Sequence, residues 1–342
     1  LHRTCVGGNK GIQKDLDDGI DTIGKKMTVC QLYARQIRHR GNVRYNTKNG
    51  RKRLMKLLEE DKLGGCPIDS VKLSDAKEWA IRMKEKGISY KTISNDKRSL
   101  KAAFYTAIQD DCIRKNPFDF QLNTVIEDDT EPKVPLTPAQ EESFLSFAQN
   151  DKVYQKYYDE LIILLGTGLR ISELCGLTDT DINFENRIIN VDHQLLRSAE
   201  TGYYIETPKT KSGIRQIPMS EKVYEAFNRV LKRRRGAKAV TIDGYSNFLF
   251  LNRDGYPKTA TNYDGMFRGL AKKYNKYHEE ALPKVMTPHT LRHTFCTNMA
   301  NAGMNPKALQ YIMGHSNITM TLNYYAHATF DSAKAEMLRI AA

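Results

Sequence analysis

Apolar residues recur at steps of three and four through the first third of the chain, the spacing of helices that bury one face. Thr28 can cap the first of these helices, and a second follows with a basic leading edge. Two more helices are predicted over residues 74–86 and 89–111. In the last one the positions predicted to face inward are apolar: Ile93, Leu100, Phe104, Tyr105 and Ile108. The pattern therefore predicts a bundle of four or five helices over residues 27–125.

Two stretches lack a periodic apolar pattern and bound this bundle. Residues 1–26, with the runs G-G-N-K-G and D-L-D-D-G, are predicted to be a linker or coupling segment. Residues 126–136 are acidic and contain prolines, so we interpret them as an interdomain linker. A second domain is predicted over residues 137–328. Beyond it, residues 329–342 contain an apolar spacing of four and then three, which predicts a short amphipathic tail helix.

The second domain combines helices with short strands. Between residues 186 and 218 the apolar period shortens toward two, which is typical of β-strands. We predict three antiparallel strands there, and the last two are expected to form a hairpin with residues 208–213 at its tip. Long helical patterns surround this region and are predicted from residue 137 onward, over 154–165, over 220–234 and over 259–278. The fold class is therefore mainly α with a small antiparallel β-sheet (α+β).

Positive charge is concentrated in the first domain. The chain has 53 Lys and Arg against 40 Asp and Glu, a net charge of +13 and a pI near 9.3. Residues 27–115 hold 21 of the cations and 10 of the acids. Such clustering favours a polyanionic partner, above all DNA, because each neutralised phosphate releases counterions. The candidate DNA-binding residues are basic side chains of this domain: Arg38, Arg40, Lys48, Arg51, Lys52, Arg53, Lys91, Lys97, Arg98 and Lys101.

Cysteine use and hydropathy exclude several classes of protein. The six cysteines are scattered without a Cys-x-x-Cys pair, which argues against a zinc knuckle or a disulfide framework. No apolar run approaches about 18 residues and no signal peptide opens the chain, so neither a membrane nor a secreted location is expected. We expect a protein of a reducing compartment, the cytoplasm. The chain starts without methionine, which is consistent with a fragment that lacks an upstream domain.

Residues 286–328 hold most of the side chains suited to catalysis. Thr287 and Pro288 suit the start of a helix, which then carries His289 and Arg292 on one face. Further imidazoles and phenols follow within this stretch: His315, Tyr324, Tyr325 and His327. A cation, imidazoles and phenols on short helices favour phosphate chemistry without a metal.

A zinc site is the alternative interpretation of these histidines. His289 and His293 have the spacing of a His-x-x-x-His pair on a helix. The glutamate that a zinc peptidase requires is Thr290 here, and no third ligand is evident. We therefore predict no metal, and we predict that His293 packs rather than reacts.

Arg170 stands at the entrance of a helix, in the sequence G-T-G-L-R-I-S-E-L. The glycines permit a tight turn and a close approach of the backbone to a partner. Three roles are open for Arg170. It can be a surface residue, it can form an ion pair at the helix end, or it can be held by Glu173 and directed at a phosphate. Its planar fork can bond two phosphate oxygens.

Five motifs in order resemble the tyrosine recombinase family, the site-specific DNA integrases of phages and conjugative transposons, related to Xer and Cre. The motifs are G-T-G-L-R-I-S-E-L, K-T-K-S-G, H-T-L-R-H, G-H-S-N-I and Y-Y-A-H. The likeness covers residues 27–328 and is strongest to integrases of Gram-positive conjugative transposons. It implies a helical core-site-binding domain and a catalytic domain that close on DNA as a C-shaped clamp.

The resemblance also implies a role for each matching residue. Arg170 and Arg292 would grip the non-bridging oxygens of the scissile phosphate and stabilise a phosphorane-like transition state. Lys211 would protonate the leaving 5′ oxygen, with Lys209 as the competing assignment. His289 would be a general acid/base, and His315 would hydrogen-bond the phosphate.

The resemblance implies a tyrosine nucleophile that forms a 3′-phosphotyrosyl link. The spacing of nine residues from His315 permits Tyr324, as in Xer and Cre. The Y-x-H pattern favours Tyr325, because His327 then stands two positions after it. The sequence leans to Tyr325 and keeps Tyr324 as the close alternative. Since the link retains the energy of the phosphodiester, no cofactor is expected.

The implied function is site-specific recombination that integrates and excises a mobile element through a Holliday junction. The implied partners are double-stranded DNA at attachment sites or transposon ends, three further copies of the chain in a homotetramer, and an accessory protein for excision. The tail, residues 329–342, would dock on a neighbouring subunit in trans. The alternatives are a catalytically inactive DNA-binding regulator and an enzyme similar to a type IB topoisomerase.

Overall fold

A computed structural model of the chain describes residues 26–41, 43–131, 134–234, 240–325 and 337–338. The chain forms two compact units, Leu1–Glu131 and Pro132–Ala342. Within the described ranges, no helix is both long and apolar enough to cross a membrane. Residues 1–25 of the predicted linker (1–26) and nearly all of the predicted tail helix lie outside the described residues.

The described part of the first unit is built from amphipathic helices. Thr28 caps the first one: its hydroxyl accepts from the N–H of Gln31, and the Gln31 side chain accepts from the N–H of Thr28. Trp79 lies at the centre of the core, in edge-to-face contact with Phe118 at 5.8 Å between ring centroids. The helices are α1 (Val29–His39), α2 (Tyr45–Glu59), α3 (Leu73–Glu85) and α4 (Tyr90–Gln109).

Two side chains of α4 lie opposite to their predicted direction. Lys97 was expected to face outward, yet it is buried and its ammonium donates to the carbonyl of Phe120. Its buried methylene stem and its ring contact with Phe120 stabilise this position. Tyr105 was expected inward, but it is 42% exposed and its hydroxyl donates to Asp119. Both predictions were wrong because the segment after α4, absent from the helical pattern, packs against this face.

The second unit packs its helices around one large apolar core. Leu161 and Leu164 of the helix over Tyr158–Thr167 are fully buried in that core, and Phe227 of a later long helix belongs to the same core. Two of the described helices carry proline at their first position and end near a glycine, as the sequence predicts. The helices are α5 (Pro138–Asn150), α6 (Tyr158–Thr167), α7 (Ile171–Gly176), α8 (Glu221–Arg234), α9 (Ala260–Tyr277), α10 (Pro288–Asn301), α11 (Pro306–Met313) and α12 (Thr319–Leu322).

The described strands form two small antiparallel sheets. The first has the order β1-β2-β5 and sets Ile189 opposite Ile217, and the second pairs β3 with β4. Mainly helical structure with small antiparallel sheets confirms the predicted fold class. The strands are β1 (Ile182–Asn183), β2 (Ile188–Val191), β3 (Gln194–Ser198), β4 (Gly202–Glu206) and β5 (Arg215–Pro218).

The predicted hairpin between the last two strands was wrong. β4 turns back on β3, a strand that the sequence did not predict, and β5 pairs with β2 instead. The tight turn that ends at Gly202, with a φ of 70°, joins β3 to β4. Lys211 therefore does not lie on a hairpin tip. It opens a short 3-10 turn, Lys211–Gly213, that connects one sheet to the other.

Candidate active site

Arg170 lies at the junction of two helices. Gly168 ends α6 in the left-handed conformation, with a φ of 63°, and Arg170 then caps α7 in extended backbone. Its guanidinium pairs with Glu173 at 2.7 Å, and its backbone N–H donates to the same carboxylate at 2.8 Å. The Arg170 side chain is 32% exposed, so one side of the guanidinium faces solvent while Glu173 fixes the other.

Arg292 lies on the buried face of α10. Its guanidinium donates to the carbonyl of Gly168 at 2.5 Å and to the carbonyl of Met313. Burial, and then repulsion from Arg170, lower the pKa of Arg292 to about 9. The side chain is still cationic at neutral pH, and a bound phosphate would supply the counter-charge that it lacks.

A third guanidinium, that of Arg215 on β5, joins these two, and we call the three residues the arginine cluster. The carbonyl oxygens of residues 312, 313 and 314 each accept a hydrogen bond from a different member. Arg215 donates to the carbonyl of residue 312, Arg292 to that of residue 313, and Arg170 to that of residue 314. These carbonyls end α11, where the helix dipole is negative, so the helix terminus offsets part of the repulsion among three cations.

Glu173 provides the full negative charge at the centre of the arginine cluster. Arg215 donates to both carboxylate oxygens, at 3.1 and 2.8 Å, and Arg170 donates to one of them. Burial on its own raises the pKa of Glu173, but the hydrogen bond and charge of Arg215 reverse this and hold the pKa at about 2. Glu173 is therefore ionised at neutral pH and fixes two guanidiniums at once.

His315 directly follows the last of the three carbonyls. It is buried, and its Nδ1 lies 3.0 Å from the hydroxyl oxygen of Thr321. Burial, followed by the positive charges of the arginine cluster, lowers the pKa of His315 to about 4. The imidazole is therefore neutral at pH 7 and can hydrogen-bond a phosphate without adding a fourth positive charge.

The two candidate nucleophiles have different surroundings. The ring of Tyr324 lies 4.8 Å from the ring of His293, between centroids. Burial and Cys296 raise the pKa of Tyr324, while the charge of Arg292 acts in the opposite direction. The hydroxyl of Tyr325 instead donates to the carbonyl of Met304 at 2.5 Å. Of the two phenols, Tyr324 is the one whose pKa the arginine cluster influences.

The other predicted catalytic residues are exposed at the edges of this arrangement. His289 is exposed on α10, three positions before Arg292. Lys211 is exposed on its 3-10 turn, four positions before Arg215. The structure thus brings Arg170, Arg292 and His315 together at the end of α11, where the two arginines bond the carbonyls of the two residues before His315. Lys211 is joined to this group by the backbone that runs to Arg215.

Sequence reasoning missed Arg215 and the contact of His293 with Tyr324. Arg215 belongs to none of the five motifs, and a charged residue at a buried strand position was the only signal in the sequence that could have identified it. Among the described residues, one group has the makings of a metal site: Asp181, Asp192 and His193. Both ring nitrogens of His193 already lie within 2.8 Å of oxygens, those of Asp192 and Gly176.

In the first unit, three of the predicted DNA-binding residues share one groove. Lys48, Arg51 and Lys52 line a groove of about 540 Å³ beside the apolar side chains of Ile37 and Met55. Other members of the predicted set have protein partners. Arg53 pairs with Asp96, Lys101 pairs with Asp119, and Lys97 is buried. The exposed remainder of the set is Arg38, Arg40, Lys91 and Arg98.

The sequence profile of the phage integrase family matches residues 135–332. This range contains every member of the arginine cluster, His315 and both tyrosines, and it spans more than half of the chain. The chain belongs to the phage integrase family. The family resemblance that the sequence motifs indicated is therefore confirmed.

Curated relatives agree with this membership. The transposase from transposon Tn916 of Enterococcus faecalis is 68% identical over 341 residues, which cover 99% of this chain and 84% of that protein. The tyrosine recombinase XerC of Bacillus subtilis (strain 168) is 26% identical over 265 residues, 78% of each chain. These names describe enzymes of DNA transposition and recombination.

Solved structures agree as well. The integrase of transposon Tn1549, in complex with transposon right end DNA, is 78% identical with a TM-score of 0.87, and the match covers 92% of this chain and all of that one. A lambda integrase dimer bound to a core site is 15% identical with a TM-score of 0.61, covering 95% of this chain and 81% of that one. The second likeness extends to the fold alone.

Proposed function

We propose that this chain is a site-specific DNA recombinase of a conjugative transposon, which cuts and rejoins DNA through a 3′-phosphotyrosyl intermediate and a Holliday junction. One observation carries the proposal. Arginines from three distant segments converge on the C-terminal end of α11 to form a cationic site with a neutral imidazole and a tyrosine beside it. Such a site suits a phosphodiester in the act of substitution.

Arg170 and Arg292 would bind the non-bridging oxygens of the scissile phosphate. Each already donates to a backbone carbonyl at the end of α11, and Glu173 holds Arg170 from the opposite side. The guanidiniums are thus fixed before the substrate arrives, so little reorganisation is needed when negative charge develops on the phosphorus oxygens. His315 would add one neutral hydrogen bond to the same group.

The exposed residues Lys211 and His289 would carry out proton transfer. The tyrosine oxygen attacks phosphorus, its proton passes to a base, and the bond from phosphorus to the 5′ oxygen breaks. Lys211 would supply the proton to that 5′ oxygen, and His289 would assist at the nucleophile. Because the phosphotyrosyl link keeps the energy of the broken bond, the 5′ hydroxyl of another strand can attack it and rejoin the DNA.

We propose Tyr324 as the nucleophile, in place of Tyr325, toward which the sequence leans. The charge of Arg292 acts on Tyr324, as it would have to for attack on a phosphate bound by Arg292. The hydroxyl of Tyr325 is engaged by the carbonyl of Met304. Tyr325 would then anchor the segment that carries its neighbour.

The solved Tn1549 complexes give a second reason for this choice. Three of them were determined with single-residue variants, an arginine changed to lysine in two and a tyrosine changed to phenylalanine in the third. Those two positions are as far apart along that integrase as Arg170 and Tyr324 are in this chain. The same spacing does not fit Tyr325.

A suicide substrate tests both the function and the tyrosine. The substrate is a duplex attachment site with a nick beside the scissile phosphate. After cleavage, the short strand that carries the new 5′ hydroxyl dissociates, so the covalent protein–DNA adduct cannot be religated and accumulates. A denaturing gel measures the adduct. We expect an adduct with the wild-type chain, none with Tyr324→Phe, and a reduced amount with Tyr325→Phe.

Two results would contradict these expectations. An adduct with Tyr324→Phe and none with Tyr325→Phe would assign the nucleophile to Tyr325. No adduct with the wild-type chain on any attachment site would leave a DNA-binding protein without chemistry, and the proposed function would fail.

We further propose that double-stranded DNA at transposon ends is the substrate, with the groove lined by Lys48, Arg51 and Lys52 contacting the phosphate backbone. Recombination of two duplexes requires four cleavages, so four copies of the chain would act together, and an accessory protein would favour excision. Work on such DNA implies a location in the bacterial cytoplasm.

The tail would join the four copies. Its apolar residues Met337 and Leu338 are 72% and 63% exposed, as expected of a segment whose partner is another subunit. Deleting residues 329–342 should abolish assembly on DNA while binding of a single copy stays within about twofold. Mass photometry on one and two duplexes measures both. Unchanged tetramer formation after the deletion would contradict this role.

A further inference from the structure

Arg215 makes more contacts across the second unit than its place in the sequence suggests. Its side chain is fully buried, at 0% exposure. Nε donates to the carbonyl of Ile312 at 2.6 Å, and one terminal nitrogen donates to the carbonyl of Gly213 at 3.1 Å. Both terminal nitrogens donate to the carboxylate of Glu173. Four of the five donor hydrogens of the guanidinium are thus bonded to three separate segments of the chain.

The first of these segments is the 3-10 turn that carries Lys211. Gly213 closes that turn: its N–H donates to the carbonyl of Thr210, and its own carbonyl accepts from Arg215. The N–H of Ile214 donates in turn to the carbonyl of Lys211 at 3.1 Å. No space remains for movement at this point, because a Cβ on Gly213 would lie 2.3 Å from the ring of Pro208.

The other two segments carry the phosphate-binding groups. Glu173 holds Arg170, and the carbonyl of Ile312 is the first of the three consecutive carbonyls that the arginine cluster shares. Close packing makes the joint rigid. A Cβ on Gly314 would lie 3.1 Å both from the Arg215 guanidinium and from the carbonyl oxygen of Ser212. The Lys211 turn, α7 and the end of α11 therefore meet at one side chain.

We propose that Arg215 is a positioning residue for the proton donor: it fixes the Lys211 turn to the frame that holds Arg170 and Arg292. Lys211 is exposed and sits on a turn of three residues, so its reach toward a leaving oxygen depends on where the base of the turn is held. A shift of about 1 Å at that base is enough to lower a proton-transfer rate by about a hundredfold. This inference rests on the role given to Lys211 in the proposed function.

The leaving group distinguishes this role from a purely structural one. When the tyrosine attacks a normal phosphodiester, the 5′ oxygen leaves as a poor alkoxide and needs a proton. When sulfur replaces that bridging oxygen, the bond from phosphorus to sulfur breaks and a thiolate leaves without a proton. A defect confined to proton donation therefore disappears with the sulfur substrate, whereas a defect in phosphate binding persists.

The test compares three variants on the two substrates, with single-turnover cleavage rates as the readout. Arg215→Lys keeps a cation beside Glu173 but lacks the fork that reaches Ile312 and Gly213 together. We expect it to cut the oxygen substrate 10–100-fold more slowly than wild type and the sulfur substrate within about threefold of wild type. Lys211→Ala should show the same selectivity. Arg292→Lys, the matched phosphate-binding variant, should be slow on both substrates.

Arg215→Gln is a second substitution at the same position. It replaces Arg215→Lys in the test if that variant does not fold. In the glutamine variant Glu173 retains Arg170 as its ion-pair partner, so the buried carboxylate is not left alone. Unfolding curves in urea and DNA-binding curves accompany each rate, and only variants that bind DNA like wild type are compared.

Four results would overturn the proposal. Arg215→Lys slowed equally on both substrates would place Arg215 with the phosphate-binding groups, and wild-type rates on both would give it no role. If the sulfur substrate restores the cleavage rate of Lys211→Ala but not that of Arg215→Lys, Arg215 does not act through Lys211, and the proposed function stays intact. If sulfur fails to rescue Lys211→Ala, the role of Lys211 falls, and the role of Arg215 falls with it.

Discussion

Glu173 illustrates how a single residue can determine an active site that it does not itself enter. Three cations within one small volume repel one another, and the low dielectric of a buried site strengthens that repulsion. One ionised carboxylate, shared by Arg170 and Arg215, offsets it. The carboxylate therefore has two effects that experiment can separate, one on stability and one on the position of Arg170.

We expect Glu173→Gln to lower the free energy of unfolding by about 3 kcal/mol at neutral pH. The folded-state pKa, about 2, lies below the ordinary 4.5, and each unit of difference contributes about 1.4 kcal/mol. Because the pKa is lowered on folding, this stability is fully present above pH 4.5 and is lost as the pH falls toward 2. The difference in unfolding free energy between wild type and Glu173→Gln should therefore narrow as the pH falls from 4.5 toward 2.

Urea unfolding at several pH values measures this gap. Glu142→Gln is the matched control, since Glu142 is an exposed glutamate of α5 and should change the unfolding free energy by less than about 0.5 kcal/mol. A constant difference between wild type and Glu173→Gln from neutral pH down to about pH 3 would contradict the linkage.

At the scale of elements, α11 matters most at its C-terminal end. Asn305 caps its start, and Gly314 ends it in the left-handed conformation, with a φ of 61°. That conformation turns the carbonyls of the last residues toward the arginine cluster. The close contacts of Gly314 with Ser212 and Arg215 leave no room for a side chain there.

Gly314→Ala should therefore destabilise the chain more than Gly303→Ala does. Both glycines have positive φ, 61° and 78°, so both variants incur the same backbone strain, of about 1 kcal/mol. Only at Gly314 would the new Cβ meet neighbours, at 3.1 Å, while nothing lies within 4 Å at Gly303. We expect an additional loss of about 1–2 kcal/mol and slower adduct formation for Gly314→Ala alone, measured by urea unfolding and by the suicide substrate.

The helices could be predicted from the sequence more completely than the sheets. Caps and stops such as Thr28, Pro288 and Gly314 act over three or four residues, so a local pattern contains them. The pairing of β5 with β2 depends on which apolar face reaches the core, and that is decided by residues far away in the sequence. Lys97 shows the same limit on a helix, because its partner, the carbonyl of Phe120, lies beyond the end of α4.

The same difference between local patterns and distant contacts applies to the candidate active site. The motifs predict roles for Arg170, Arg292 and His315, because family resemblance attaches to short strings. They do not identify Arg215, whose partners Glu173 and Ile312 are 42 and 97 positions away. The sequence left both Tyr324 and Tyr325 open as nucleophile. The hydrogen bond of Tyr325 to the carbonyl of Met304, which supports the proposal of Tyr324, joins residues 21 positions apart and has no signal in a short motif.

At the scale of the whole molecule, charge governs the encounter with DNA. Residues 27–115 carry most of the net charge of +13, and the groove in that region presents Lys48, Arg51 and Lys52. Each phosphate contact releases about 0.9 counterions, so affinity should fall steeply with salt.

Lys48→Ala should reduce the slope of log affinity against log salt by about 0.9 and weaken binding to all sequences alike. Lys62→Ala is the control: Lys62 is equally exposed but lies outside the groove, and its slope should match wild type. Fluorescence anisotropy over a range of salt concentrations measures both slopes. A larger effect of Lys62→Ala than of Lys48→Ala would place the DNA on another face.

The three consecutive carbonyls at the end of α11 also bear on how the protein is made. Their donors come from positions 21 to 144 residues upstream, and Tyr324 follows them all in the chain. On the proposed roles, a ribosome therefore completes every phosphate-binding group before it adds the nucleophile. A truncated chain that stops short of Tyr324 would retain the proposed phosphate-binding arginines and lack the group proposed to cut DNA.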